Sequence, residues 1–140
     1  MTDVVALAKQ LYDRLEWQNV PEEVTQDDLT DLIADAIRYL YVITGRALMF
    51  SEDMFTVDDG MYTSFSETLE LDEKLYVLAT AEIALLRRIQ NGVDDLTSYS
   101  TDAMAVTHGD KPFANLQQKI TDAEANREKI WYKMIRFHLL

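Results

Sequence analysis

Ser98, Ser100, His108 and Asp110 bring the residue types of a nucleophilic triad into one short stretch. A triad works only when rigid elements align nucleophile, base and orienting acid, and members crowded on a single loop have no such frame. Gly109 and Asp110 are turn formers and Pro112 suits the start of a helix, so His108 reads as a turn residue. The other histidine, His138, has no carboxylate three residues before it, and neither does His108, which removes the Glu-x-x-His pairs of a di-iron bundle. Asp53, Asp58, Asp59 and Gly60 lack the alternating spacing of a calcium loop and the bidentate Glu at its end. There is no cysteine for thiolate chemistry or zinc, and none of the four glycines falls in a phosphate-loop spacing. Paired carboxylates in the first two helical stretches read as solvated acidic faces and not as acid/base pairs. No catalytic residue, metal site or cofactor is expected.

The elements that carry these residues are helical. Val4, Ala8, Leu11 and Leu15 recur at helical spacing and predict a first helix from about Thr2 to Gln18, ended by the stretch around Pro21. Thr25 is a good N-cap, followed by Asp27 and Asp28 where the helix dipole favours acid. A second helix follows from Gln26 to about Thr44 on Leu29, Ile33, Ile37 and Leu40, and Gly45 can cap its end. The next 25 or so residues are less regular: Asp59-Gly60 is the dipeptide of a tight hairpin turn, although short helical pieces fit nearly as well. A third helix, apolar on almost every side between Leu75 and Ile89, is expected from Asp72 to Gly92, with Arg87 and Arg88 in its last turns. After Pro112 the series Phe113, Leu116, Ile120, Ala123, Arg127, Ile130, Met134 and Phe137 gives the narrow seam of a fourth helix. The expected fold is all-α, a single domain over residues 1–140, with about four helices and a long loop between the third and fourth.

Charge is segregated along this chain. Residues 1–110 carry seven Lys/Arg against 22 Asp/Glu, a net of −15, while residues 111–140 carry six against three, a net of +3. That much acid repels phosphates and disfavours ordinary nucleic-acid binding. No apolar run approaches the roughly 20 residues of a membrane span, and the first residues lack the layout of a signal peptide. A soluble protein made in a cytoplasm, with no membrane partner, is the expectation.

Within the run Leu96 to Pro112, Leu-Thr-Ser-Tyr-Ser-Thr-Asp-Ala-Met-Ala-Val-Thr-His-Gly-Asp-Lys-Pro, the stretch from Ser98 to Pro112 has no helical period although it lies between two helical patterns. A structureless link of that length is more often functional than idle. With the amphipathic helix after it, this run resembles the head-tail connector (adaptor) proteins of tailed bacteriophages; the resemblance covers most of the chain in helix order and is most specific from Thr97 to Lys119. It implies a homo-oligomer matching the portal's twelvefold ring, at the head-tail junction of the virion after synthesis in the host cytoplasm. Its partners would be the portal protein and a stopper or tail-completion protein, and double-stranded DNA would pass through without specific binding. It implies no catalysis and no cofactor. It leaves open whether the chain is an adaptor, a stopper or a tail-completion protein. The alternative from another class is a free acidic binding protein such as a DNA mimic, which the basic last 30 residues argue against.

Three regions are expected to carry the function. Tyr99 and Met104 are apolar anchors on a loop of small polar residues, a pattern typical of interface hot spots, with Thr101 and Asp102 between them, His108 in the aiming turn and Lys111 free to reach an acidic neighbour. Trp131, Ile135 and Leu139 add a second apolar face to the last helix, which calls for a second partner, either the fold's own core or another subunit; residues 131–140, including Arg136 and Phe137, are expected to dock on another chain. Asp27, Asp28, Asp31 and Asp35 are expected to face the bore or a basic neighbour.

Overall fold

The computed structural model describes residues 1–15, 24–99 and 116–139. Four helices occupy most of them: α1 (Val4–Arg14), α2 (Gln26–Ile43), α3 (Leu71–Tyr99) and α4 (Leu116–Leu139). Between α2 and α3 lie two 3₁₀ turns, Ala47–Met49 and Glu52–Met54, and a hairpin of β2 (Phe55–Asp58) and β3 (Met61–Phe65). The fold is therefore mostly helical, but not purely all-α. A two-residue strand, β1 (Thr2–Asp3), adds to the free side of β3 and makes a three-stranded antiparallel sheet in the order β1-β3-β2.

The boundaries follow from local chemistry. The Asp3 carboxylate accepts from the Ala6 N–H at 3.0 Å and caps α1, so the first helix starts two residues later than its periodicity predicts, and it ends at Arg14 instead of Gln18. At α2 the Thr25 hydroxyl accepts from the Asp28 N–H at 3.2 Å while the Asp28 carboxylate accepts from the Thr25 N–H at 3.0 Å, a reciprocal capping box. The far end of α2 closes as a Schellman motif, in which Gly45 and Arg46 donate to the carbonyls of Val42 and Tyr41 and Gly45 takes a φ of +73°. The hairpin reading of Asp59-Gly60 holds. Both residues have positive φ, 52° and 80°, which a type I′ turn demands.

The third helix departs most from expectation. It does not stop at Gly92 but runs to Tyr99, so Ser98 and Tyr99 belong to the helix and not to the loop. An interior glycine costs a helix only about 1 kcal/mol, and Val93 and Leu96 continue the spacing set by Ile89. Arg87 and Arg88 consequently lie well inside the helix, where they pair with Glu124 and Asp28. The rest of the expected loop, from Ser100, and the expected helix start at Phe113 lie outside the described residues.

The core lies where α1, α2 and α3 meet the sheet. Val4, Leu11, Ile33, Ile37, Leu40, Val77 and Leu85 are fully buried there. Phe65 on β3 is fully buried with them, its ring centroid 5.0 Å from that of Phe55 and 5.6 Å from that of Tyr41. The α4 helix runs antiparallel to α3 and packs chiefly on it through Leu116, Ile120, Ala123, Ile130 and Met134. The contacts Gln90–Gln117, Arg87–Glu124 and Tyr76–Trp131 fix that register.

Candidate functional site

The capping box divides the acidic set on α2. Asp28 turns toward α3, where the Arg88 guanidinium lies 3.6 Å from its carboxylate, and the N–H of Thr25 holds its carboxyl below the ordinary carboxylate range. Asp27, Asp31 and Asp35 are exposed and follow one another at one turn of helix each. Partial burial, then the like charges of Asp28, Asp35 and Asp27, push the Asp31 carboxyl up. The column is thus a strip of mutual repulsion with solvent on its outer side.

Arg38 closes the column toward the hairpin. Its guanidinium donates to both carboxylate oxygens of Glu52, at 2.7 and 2.9 Å, to Asp35, and to the Tyr62 hydroxyl at 2.8 Å. It also lies over the rings of Phe55 and Tyr62, at 5.2 and 5.3 Å. One side chain thereby ties α2 to the second 3₁₀ turn and both strands. At the end of α2, Arg46 lies 4.5 Å over the Tyr41 ring and bonds the Glu73 carboxylate, which also accepts from the Glu70 N–H at the start of α3. Neither arginine stands out in the sequence, because the carboxylates and hydroxyl they bond across the fold lie 14 to 27 positions further along the chain.

Between α2, α3 and α4 an aromatic groove of about 660 Å³ is lined by Tyr39, Tyr76, Trp131 and the flanking Glu124, Arg127 and Glu128. Tyr39 and Tyr76 stack with centroids 6.4 Å apart, and Arg127 lies 5.8 Å from the Tyr39 ring. Burial pushes the Tyr76 hydroxyl up to about 12, with Tyr39 adding to the effect. Trp131 of the expected docking tail is partly buried here with its ring 6.0 Å from Tyr76, so its inner edge serves the chain's own fold. Ile135 is half-buried one turn further on. The side chains of Arg136 and Phe137, and that of Tyr99, lie outside the described residues, as do Thr101, Asp102, Met104, His108 and Lys111.

The outer side of α4 is of opposite character to the α2 column, with Lys129 and Lys133 exposed one turn apart. Two further surfaces were not legible beforehand. The turn after α2 presents Leu48 and Met49 to solvent, and an apolar groove opens between α1 and the first turns of α2. Among the described residues no His, Asp and Glu side chains gather in a group that could hold a metal ion, and no helix is long and apolar enough to cross a membrane. No family model matches the chain, and neither a curated protein nor a solved structure does.

Proposed function

We propose that this chain is a structural subunit of the neck of a tailed bacteriophage, repeated in a twelvefold ring that joins the portal vertex to the tail and lines the DNA channel. The observation that carries the reading is the run from Thr97 to Lys119, with its resemblance to head-tail connectors. The charge layout is consistent with such a part. A subunit in a cyclic ring must present one surface to a different surface of its neighbour, and an acidic α2 column with an exposed basic stripe on α4 supplies two unlike faces. Acid along a bore would also keep passing DNA from adhering.

The ring's work is mechanical: it fixes diameter, symmetry and charge at a junction. The portal protein is its partner on the head side and a stopper or tail-completion protein on the other. Negative-stain imaging of the purified chain mixed with its portal tests the reading directly. Rings on the portal vertex are expected; a chain that stays free as monomer or dimer at all ratios would favour the acidic binding protein instead.

A further inference from the structure

Two uncovered apolar features lie at opposite ends of α2. At the C-terminal end, the Ala47–Met49 turn holds Leu48 wholly in solvent and Met49 72% exposed, with Val42 of the last helical turn at 63%. Neighbouring apolar side chains in water forgo the free energy of burial and mark a contact surface more often than isolated ones do. At the N-terminal end, α1 and the start of α2 leave a groove of about 430 Å³ lined by Val5, Ala8, Tyr12, Val24 and Leu29. That volume lies in the range of clefts that bury small apolar ligands. The 18 residues of α2 separate the two features by roughly 27 Å, so the turn cannot fill its own chain's groove.

We infer that the Leu48–Met49 turn of one copy seats in the α1–α2 groove of the next. Charge at the two rims agrees with this occupant. Asp3 and Lys9 both line the groove, but the Asp3 carboxylate already accepts from the Ala6 N–H, which leaves Lys9 as the unengaged charge there; Asp53 follows the turn by four residues, and Lys9 and Asp53 are exposed and among the described residues take part in no ion pair. Seating the turn would bring the two together at the edge of a buried apolar centre, the arrangement of an interface hot spot within a polar rim. A projection on one surface and a recess on another close either as a two-fold pair or as a head-to-tail ring. The ring is selected by resting on the neck reading above, and the inference adds to that reading the contact that would build it.

Because the chain has no cysteine, engineered thiols report this contact without background. Full-length Met49→Cys and Ala6→Cys copies, one carrying a mass tag, are mixed under mild oxidation; both positions are exposed, and circular dichroism checks that each variant is folded. A disulfide needs Cα atoms within about 7 Å. The mixed dimer is expected at least fivefold above either same-variant dimer and above pairings with a Gln118→Cys control. Lys9→Glu should lower that yield, and Asp53→Lys on the other copy should restore it. Equal yields for all pairings would overturn the inference, as would preferential capture of Ala6→Cys by a Leu139→Cys copy, which would make the C-terminal segment the occupant. A chain carrying both Met49→Cys and Ala6→Cys separates this contact from the neck reading. Covalent trimers and larger species fit the ring, whereas selective cross-linking that stops at closed dimers would keep the contact and remove the ring. Rings on the portal without the cross-link would do the reverse.

Discussion

The α2 and α4 helices are both amphipathic, yet the fold holds them in different ways. Eight of the 18 residues of α2 are buried, both its ends are capped, and Arg38 and Arg46 bind its outer half to the hairpin and to α3. By contrast, α4 rests on a narrow seam that is interrupted at Arg127, with Ile130 and Met134 beyond the interruption. The lesson is one of division of labour. A helix gripped on a broad stripe can carry mutually repelling carboxylates on its free face without losing its place, while a helix held along one seam keeps most of its circumference for other contacts.

Core truncation should expose this contrast most strongly. Ile37→Ala in α2 is expected to cost about 4 kcal/mol and Ile130→Ala in α4 about 2 kcal/mol, at opposite ends of the usual range for such deletions. Urea denaturation of the two variants measures both, and equal losses would break the comparison. Arg46→Ala comes next, at about 2 kcal/mol, because it leaves the buried Glu73 carboxylate without its cation. A loss no larger than that of an exposed ion pair would show that the hairpin end of α2 is not gripped as described.

Smaller effects sharpen the picture at the capped end. Thr25→Ala removes the hydroxyl half of the capping box and should cost about 1 kcal/mol at neutral pH. The carboxyl of Asp28 sits below its ordinary 3.8 in the fold, chiefly through the Thr25 N–H. Its stabilisation is therefore complete above that pH and is lost as the pH falls through the lower, folded value. Asp28→Asn should accordingly destabilise the protein at neutral pH and match the parent in strong acid, as thermal melts at the two pH values will show. Glu82 runs the other way. Burial raises its carboxyl above 4.5 despite Arg14 at 3.6 Å, so ionising it costs stability as the pH climbs through the folded value. The melting temperature of Glu82→Gln should equal the parent's in acid and exceed it slightly near pH 7; a lower value at neutral pH would mean that the Arg14 pair outweighs the burial. The smallest change in stability, within about 0.5 kcal/mol, is expected for Leu48→Ser, although in the Met49→Cys copy that substitution should sharply lower the turn's cross-link to the groove.

Elements governed by neighbouring residues were legible in the sequence. Thr25 with Asp28, Gly45, and Asp59-Gly60 each specify a local geometry that the fold adopts. The strand at Thr2–Asp3 was not, because two residues carry no period and it exists only by pairing with Ser64 and Phe65. Gly92 misled in the opposite direction, since a break signal of only about 1 kcal/mol does not stop a helix whose apolar spacing continues in the sequence at Val93 and Leu96. The exposure of Leu48 and Met49 could not be read from residue type, because whether an apolar pair is covered depends on what folds over it. Of the expected contact residues, the Ser100–Lys111 group lies outside the described residues, while the acidic positions on α2 and Trp131 on α4 have definite surroundings.

The seam between the first strand and the third has a consequence for how the chain comes off the ribosome. Thr2 donates to the Glu67 carbonyl at 2.7 Å and accepts from the Leu69 N–H at 3.1 Å. The start of the chain is therefore fastened by residues made more than sixty positions later. At about 5 to 20 residues per second, the strand Thr2–Asp3 waits roughly 3 to 13 seconds for its partners, while α1 can already pack on α2. Slowing translation across residues 16–65 should lengthen that wait and raise the share of nascent chains captured by chaperones, while pauses placed late enough for Leu69 to have left the ribosome should have no such effect.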